Sequence, residues 1–144
     1  VNEWALAQIK HQGESNAICK STDSLCFRNK NRELTLTQEV RDKLFDHIKQ
    51  NAKQKDIFIG TIDGYKDHIH CLVSLGVDQN IFKVVQLIKG ESSFWINKNK
   101  ITQTKFEWAD EYFAVSVSES KFGIVKKYIR NQHEHHRLKS FREE

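Results

Sequence analysis

The chain has 144 residues, 38% hydrophobic and 29% charged, with no proline and a formal net charge of +4. That length supports one domain with a real core, spanning 1–144, and is too short for two well-packed ones. No apolar run approaches the roughly 20 residues a membrane-spanning helix needs, and no basic segment leads into an apolar stretch as in a leader, so a cytoplasmic protein with no membrane partner is expected. Three cysteines, Cys19, Cys26 and Cys71, form no C-x-x-C pair, which argues against a disulfide framework or a zinc knuckle and for reduced thiols, with Cys71 in the core.

The elements follow in chain order. Residues 1–26 alternate poorly and carry many polar side chains, and one strand is expected before Arg28. Thr35 and Gln38 have capping-box spacing, and Val40, Leu44, Phe45 and Ile48 recur at helical intervals, predicting a helix to about residue 51. The apolar, β-branched run 57–62 reads as a strand. Asp63 and Gly64 predict a turn, and 68–75 a second strand, with Ile69, Cys71, Val73 and Leu75 on one face and His68, His70, Leu72 and Ser74 on the other.

Asp78 is placed to cap a second helix carrying Ile81, Val84, Val85, Ile88 and Trp95 as its apolar stripe. Phe113, Val115 and Val117 alternate in a further strand. Ser118 or Ser120 then caps a last helix over about 121–136, with Phe122, Val125 and Ile129 facing the core. The order strand, helix, strand, strand, helix, strand, helix predicts an α+β, ferredoxin-like split βαβ sandwich: an antiparallel sheet with helices on one face and a C-terminal helix bearing Tyr128.

His68 and His70, one residue apart in a strand, project from the same face about 7 Å apart, close enough to converge on one metal ion. Alone, the pattern fits a structural or surface pair as well. On the last helix Tyr128 and Gln132 lie one turn apart on one face, a nucleophile beside an oxygen ligand, although by itself Tyr128 also reads as a half-buried helix tyrosine. Two imidazoles and an amide oxygen would leave positions on a magnesium-type ion for water and phosphate oxygens.

Positive residues gather at 28–32, 98–105 and 126–142, a distribution suited to a phosphate backbone or simply to solvated faces. Trp95 reads as core rather than as a DNA contact. Trp108, Tyr112 and Phe113 suit either base stacking or burial. His133, His135 and His136 read as a solvated or phosphate-facing helix end rather than a second metal cluster.

Five ordered blocks carry a resemblance. They are 27–32, ending Lys-Asn-Arg; Asp67-His68-Ile69-His70; 86–93, Gln-Leu-Ile-Lys-Gly-Glu-Ser-Ser; Phe106-Glu107-Trp108 with 112–118; and 128–132, Tyr-Ile-Arg-Asn-Gln, with 134–136. Together they resemble the HUH family, in which two histidines flank a bulky apolar residue. Within it they are similar to the single-tyrosine transposases of the smallest bacterial insertion sequences, relatives of the REP-associated tyrosine transposases. The resemblance covers about 27–144; members open with an alternating apolar strand, which 1–26 does not show.

The resemblance implies that Tyr128 attacks single-stranded DNA at a hairpin-marked end, leaving a 5′-phosphotyrosine and a free 3′-hydroxyl. It implies that His68, His70 and Gln132 hold a divalent metal, Mg2+ with Mn2+ as the alternative, and that the protein is a homodimer in which the tyrosine helix of one subunit can complete the histidine pair of the other. The DNA-binding set expected is Arg28, Lys30, Arg32, Lys89, Ser92, Lys127 and Arg130. Two other readings stay open: a domesticated relative acting on palindromic repeats, and a non-catalytic ferredoxin-like nucleic-acid binding module.

Overall fold

A strand too polar to announce itself opens the sheet. The computed structural model describes residues 19–132, and its first strand, β1, is Cys19–Asn29. Every second residue from 23 to 29 is buried, but only Leu25 and Phe27 are apolar; the flanking inward positions are Asp23 and Asn29. Most of their polar groups are met locally: Ser21 and Ser116 hydroxyls donate to the Asp23 carboxylate, and the Asn29 amide N–H groups donate to the Glu33 carbonyl and to Thr35 Oγ1, while the buried Asn29 Oδ1 has no partner among the described residues.

The first helix, α1 (Gln38–Gln54), is capped by Thr37, whose Oγ1 accepts from the Val40 N–H at 3.3 Å, and not by Thr35, which serves Asn29. The strands β2 (Phe58–Gly64) and β3 (His68–Gly76) follow. The predicted turn at Asp63 and Gly64 moves down the chain, because both still pair with β3 and the reversal occupies 65–67, closed by Tyr65 N–H donating to the His68 carbonyl at 2.9 Å.

Asn80 caps α2 (Ile81–Lys98), its Oδ1 accepting from the Phe82 and Lys83 N–H groups; Asp78, the expected cap, lies two residues too early. After β4 (Trp108–Ser116) a short 3-10 turn leads into α3 (Phe122–Arg130). No serine caps α3: the Ser118 and Ser120 hydroxyls bond each other at 3.2 Å. The predicted continuation to 136, with His133, His135 and His136, lies outside the described residues.

The sheet order is β2-β3-β1-β4, antiparallel throughout, which is the expected ferredoxin-like arrangement. The alternation in β3 divides the molecule. Ile69, Cys71, Val73 and Leu75 join Leu25 and Phe27 in the main core against Leu44 and Ile48 of α1 and Val84, Val85, Ile88 and Ile96 of α2. Leu72 points the other way into a smaller cluster with Phe122 and Ile129, so α3 packs over β2 and β3 on the face opposite α1 and α2. That face also carries His68 and His70.

Candidate active site

The site forms where α3 crosses the outer end of β3. His68 is buried, and its Nδ1 lies 2.7 Å from Asp67 Oδ1. An ionised carboxylate only accepts, so the bridging proton is carried by Nδ1, and in the neutral ring Nε2 presents a lone pair. That nitrogen faces Gln132 Oε1 at 3.5 Å. Gln132 is itself buried, and its Nε2 donates to the Tyr128 carbonyl one turn back at 3.1 Å, which turns the amide oxygen toward the histidine.

Two electron-pair donors thus face each other across a gap. Adjacent ligands at roughly 2.1 Å from one divalent ion stand about 3.0–3.5 Å apart, so this pair fits a metal. The His70 ring meets that of His68 edge to face, centroids 5.0 Å apart, and that of Tyr128 at 6.0 Å, also edge to face. Among the described residues no three His, Cys, Asp or Glu side chains converge on one point. Tyr128 is 49% exposed, open to a ligand as large as a nucleic acid strand. All four residues belong to one chain.

A family model described as IS200-like transposase matches residues 21–132, most of the chain and the whole site. The chain belongs to the IS200-like transposase family. This transposase is 29% identical over 110 residues to the ISDra2 transposase TnpA of Deinococcus radiodurans, covering 73% of the chain and 79% of that protein. Its fold matches a Deinococcus radiodurans R1 protein assigned as a transposase, with a TM-score of 0.65, 24% identity and coverage of 81% of this chain and 94% of that one. It also matches a REP-associated tyrosine transposase solved bound to a REP hairpin, with a TM-score of 0.65, 16% identity and coverage of 83% and 70%. At such identities these two likenesses establish the fold.

The basic residues of the transposase are unequally placed for DNA. Lys127 and Arg130 are exposed on α3, and Arg32 is exposed in a turn where Asn31 and Arg32 both take left-handed backbone, φ 60° and 54°. Lys30 is exposed but paired with Glu107 at 3.0 Å, which holds the lysine above its ordinary pKa and, with Lys105, the carboxylate below its own. Arg28 lies over the Phe113 ring. Lys89 is half-buried, its Nζ donating to the Ala109 and Asp110 carbonyls, and burial depresses its pKa; it ties α2 to β4.

Ser92 is the one member of the expected DNA-binding set that the geometry contradicts. It is fully buried, and its hydroxyl accepts from Trp108 Nε1 at 2.9 Å while donating to the Lys89 carbonyl, so it has no surface to offer DNA. Trp95 is packed against the core and stacked on His47 at 4.2 Å. Two neighbours of the site were not assigned from the sequence. Asp67, which orients His68, is signalled only by its adjacency; Cys26, whose Sγ lies 4.0 Å from His70 Nε2, becomes a neighbour only through strand pairing.

Proposed function

We propose that this transposase cuts and rejoins single-stranded DNA through a covalent bond to Tyr128. The observation that carries the reading is the meeting, within one chain, of His68, His70 and Gln132 with the Tyr128 ring. In the forward step the phenol oxygen forms a bond to phosphorus as the bond from phosphorus to the 3′ oxygen breaks. The phenol proton is delivered, in net terms, to the departing 3′ oxygen, leaving a 5′-phosphotyrosine and a 3′-hydroxyl. One phosphodiester replaces another, so rejoining is the same exchange in reverse and needs no external energy source.

His68, His70 and Gln132 would hold a divalent ion, Mg2+ or alternatively Mn2+. When bound, such an ion supplies charge stabilisation at the scissile phosphate. Asp67 keeps His68 in the lone-pair-forward tautomer, and the Gln132 amide is locked by the Tyr128 carbonyl. Lys127, Arg130, Arg32 and Arg28 are disposed to meet phosphates, and a hairpin at the element's end would be the structure recognised. We also read the protein as a homodimer, since among the described residues β4 ends the sheet with most of its length exposed, and an edge strand invites a second copy.

The test is direct. Labelled single-stranded hairpin DNA incubated with the protein and Mg2+, then denatured, should give a slower protein–DNA band that Tyr128→Phe abolishes, with Tyr65→Phe and Tyr112→Phe retaining it. Covalent DNA on the Tyr128→Phe protein would overturn the assignment.

A further inference from the structure

We propose that Phe113 and Arg28 form a seat for one unpaired base beside the site, a subsite that rests on reading the protein as an enzyme of single-stranded DNA. Cys26 of β1 pairs with His70 on one side and Phe113 on the other, and directly paired residues of antiparallel strands point to the same face. His70, Cys26 and Phe113 therefore form one row across three strands. With strands roughly 4.8 Å apart, Phe113 stands about 10 Å from His70. Arg28 lies two residues from Cys26 on the same face, opposite His68, and folds its guanidinium over the Phe113 ring, 5.4 Å from the centroid.

Helix α3 covers only the β2 and β3 half of this face, leaving Phe113 53% exposed. Of the three β4 aromatics only Phe113 offers a ring to solvent: Trp108 is buried, and Tyr112 packs on the main core. An exposed ring capped by a guanidinium is a matched pair for a nucleotide. The base takes the ring's face, and Arg28 turns to the adjoining phosphate, so each group exchanges a weak partner for a better one. A second copy of the chain seated here would instead have to bury the Arg28 charge, which is costly without a carboxylate in register. Every base has a π-face, so the seat fixes the position of the strand beside Tyr128 and is indifferent to which base it holds.

The probe is single-stranded oligothymidine carrying one 5-iodouracil, cross-linked by long-wavelength ultraviolet light and mapped by mass spectrometry. The expected result is a cross-link to Phe113. Phe113→Ala should lose it and bind unsubstituted oligothymidine roughly tenfold more weakly, while Phe113→Trp restores affinity. Arg28→Gln should weaken binding and flatten its salt dependence. Oligothymidine binding that is unchanged in Phe113→Ala, with cross-links elsewhere, would overturn the seat and leave the proposed chemistry standing. A Phe113→Ala protein that changes only its oligomeric state would likewise overturn it, by making this face a protein interface. A cross-link at Phe113 in a protein that forms no Tyr128 adduct would sink the chemistry and spare the seat.

Discussion

Gly64→Ala tests the strand pairing that holds the candidate ligands. A Cβ at position 64 would run into the His68 carbonyl oxygen well inside van der Waals contact and would sit 2.9 Å from Ile69 Cα. Both obstacles are backbone, so no side chain can swing away. The overpacking costs about 1–3 kcal/mol, and the shift endangers the Tyr65 N–H to His68 carbonyl bond that closes the turn, worth about 1 kcal/mol net. The expected loss is about 2–4 kcal/mol, or roughly 6–12 °C in Tm for a domain of this size. Urea and thermal unfolding followed by circular dichroism would measure it. A variant within about 0.5 kcal/mol of the parent would refute the close approach of β2 and β3 at this point.

Asp67→Asn keeps the shape beside His68 but replaces the charged, acceptor-only carboxylate that holds its proton on Nδ1 with a neutral amide that accepts more weakly and can also donate, and should weaken Mn2+ binding about 10- to 100-fold by titration calorimetry with little change in stability; unchanged affinity would mean that Asp67 does not orient a ligand. Burial pushes the Cys71 thiol up to about 12, so its contribution to stability is complete below the thiol's ordinary range and lost as the pH rises toward that value. Unfolding midpoints should therefore fall on going to alkaline pH, and fall less in Cys71→Ala. Ellman's reagent should leave Cys71 untouched until the protein unfolds.

What could be read from the sequence divides along physical lines. The His68-Ile69-His70 strand was legible because strict alternation separates Ile69, Cys71, Val73 and Leu75, which reach the main core, from Leu72, which packs under α3. The first strand was not, because two of its inward positions are polar and are held by bonds that no periodicity reveals. The caps of α1 and α2 were each displaced by two residues. Thr35 and Thr37 are equally able to cap, as are Asp78 and Asn80, and the backbone path decides between them. Ser92 sat in a block that suggested DNA, yet its position on α2 aims it at Trp108; the helical period alone does not name the facing partner.

The hydrogen bond from the Gln132 amide to the Tyr128 carbonyl has a bearing on how this site tolerates change. The group proposed to attack and the group proposed to coordinate are carried as a single piece. A substitution beneath α3, at Leu72, Phe122 or Ile129, displaces both together relative to the histidines and leaves their mutual spacing intact. Errors at the two positions are therefore correlated, and drift in the packing under this helix switches the reaction off as a whole rather than eroding one of its parts.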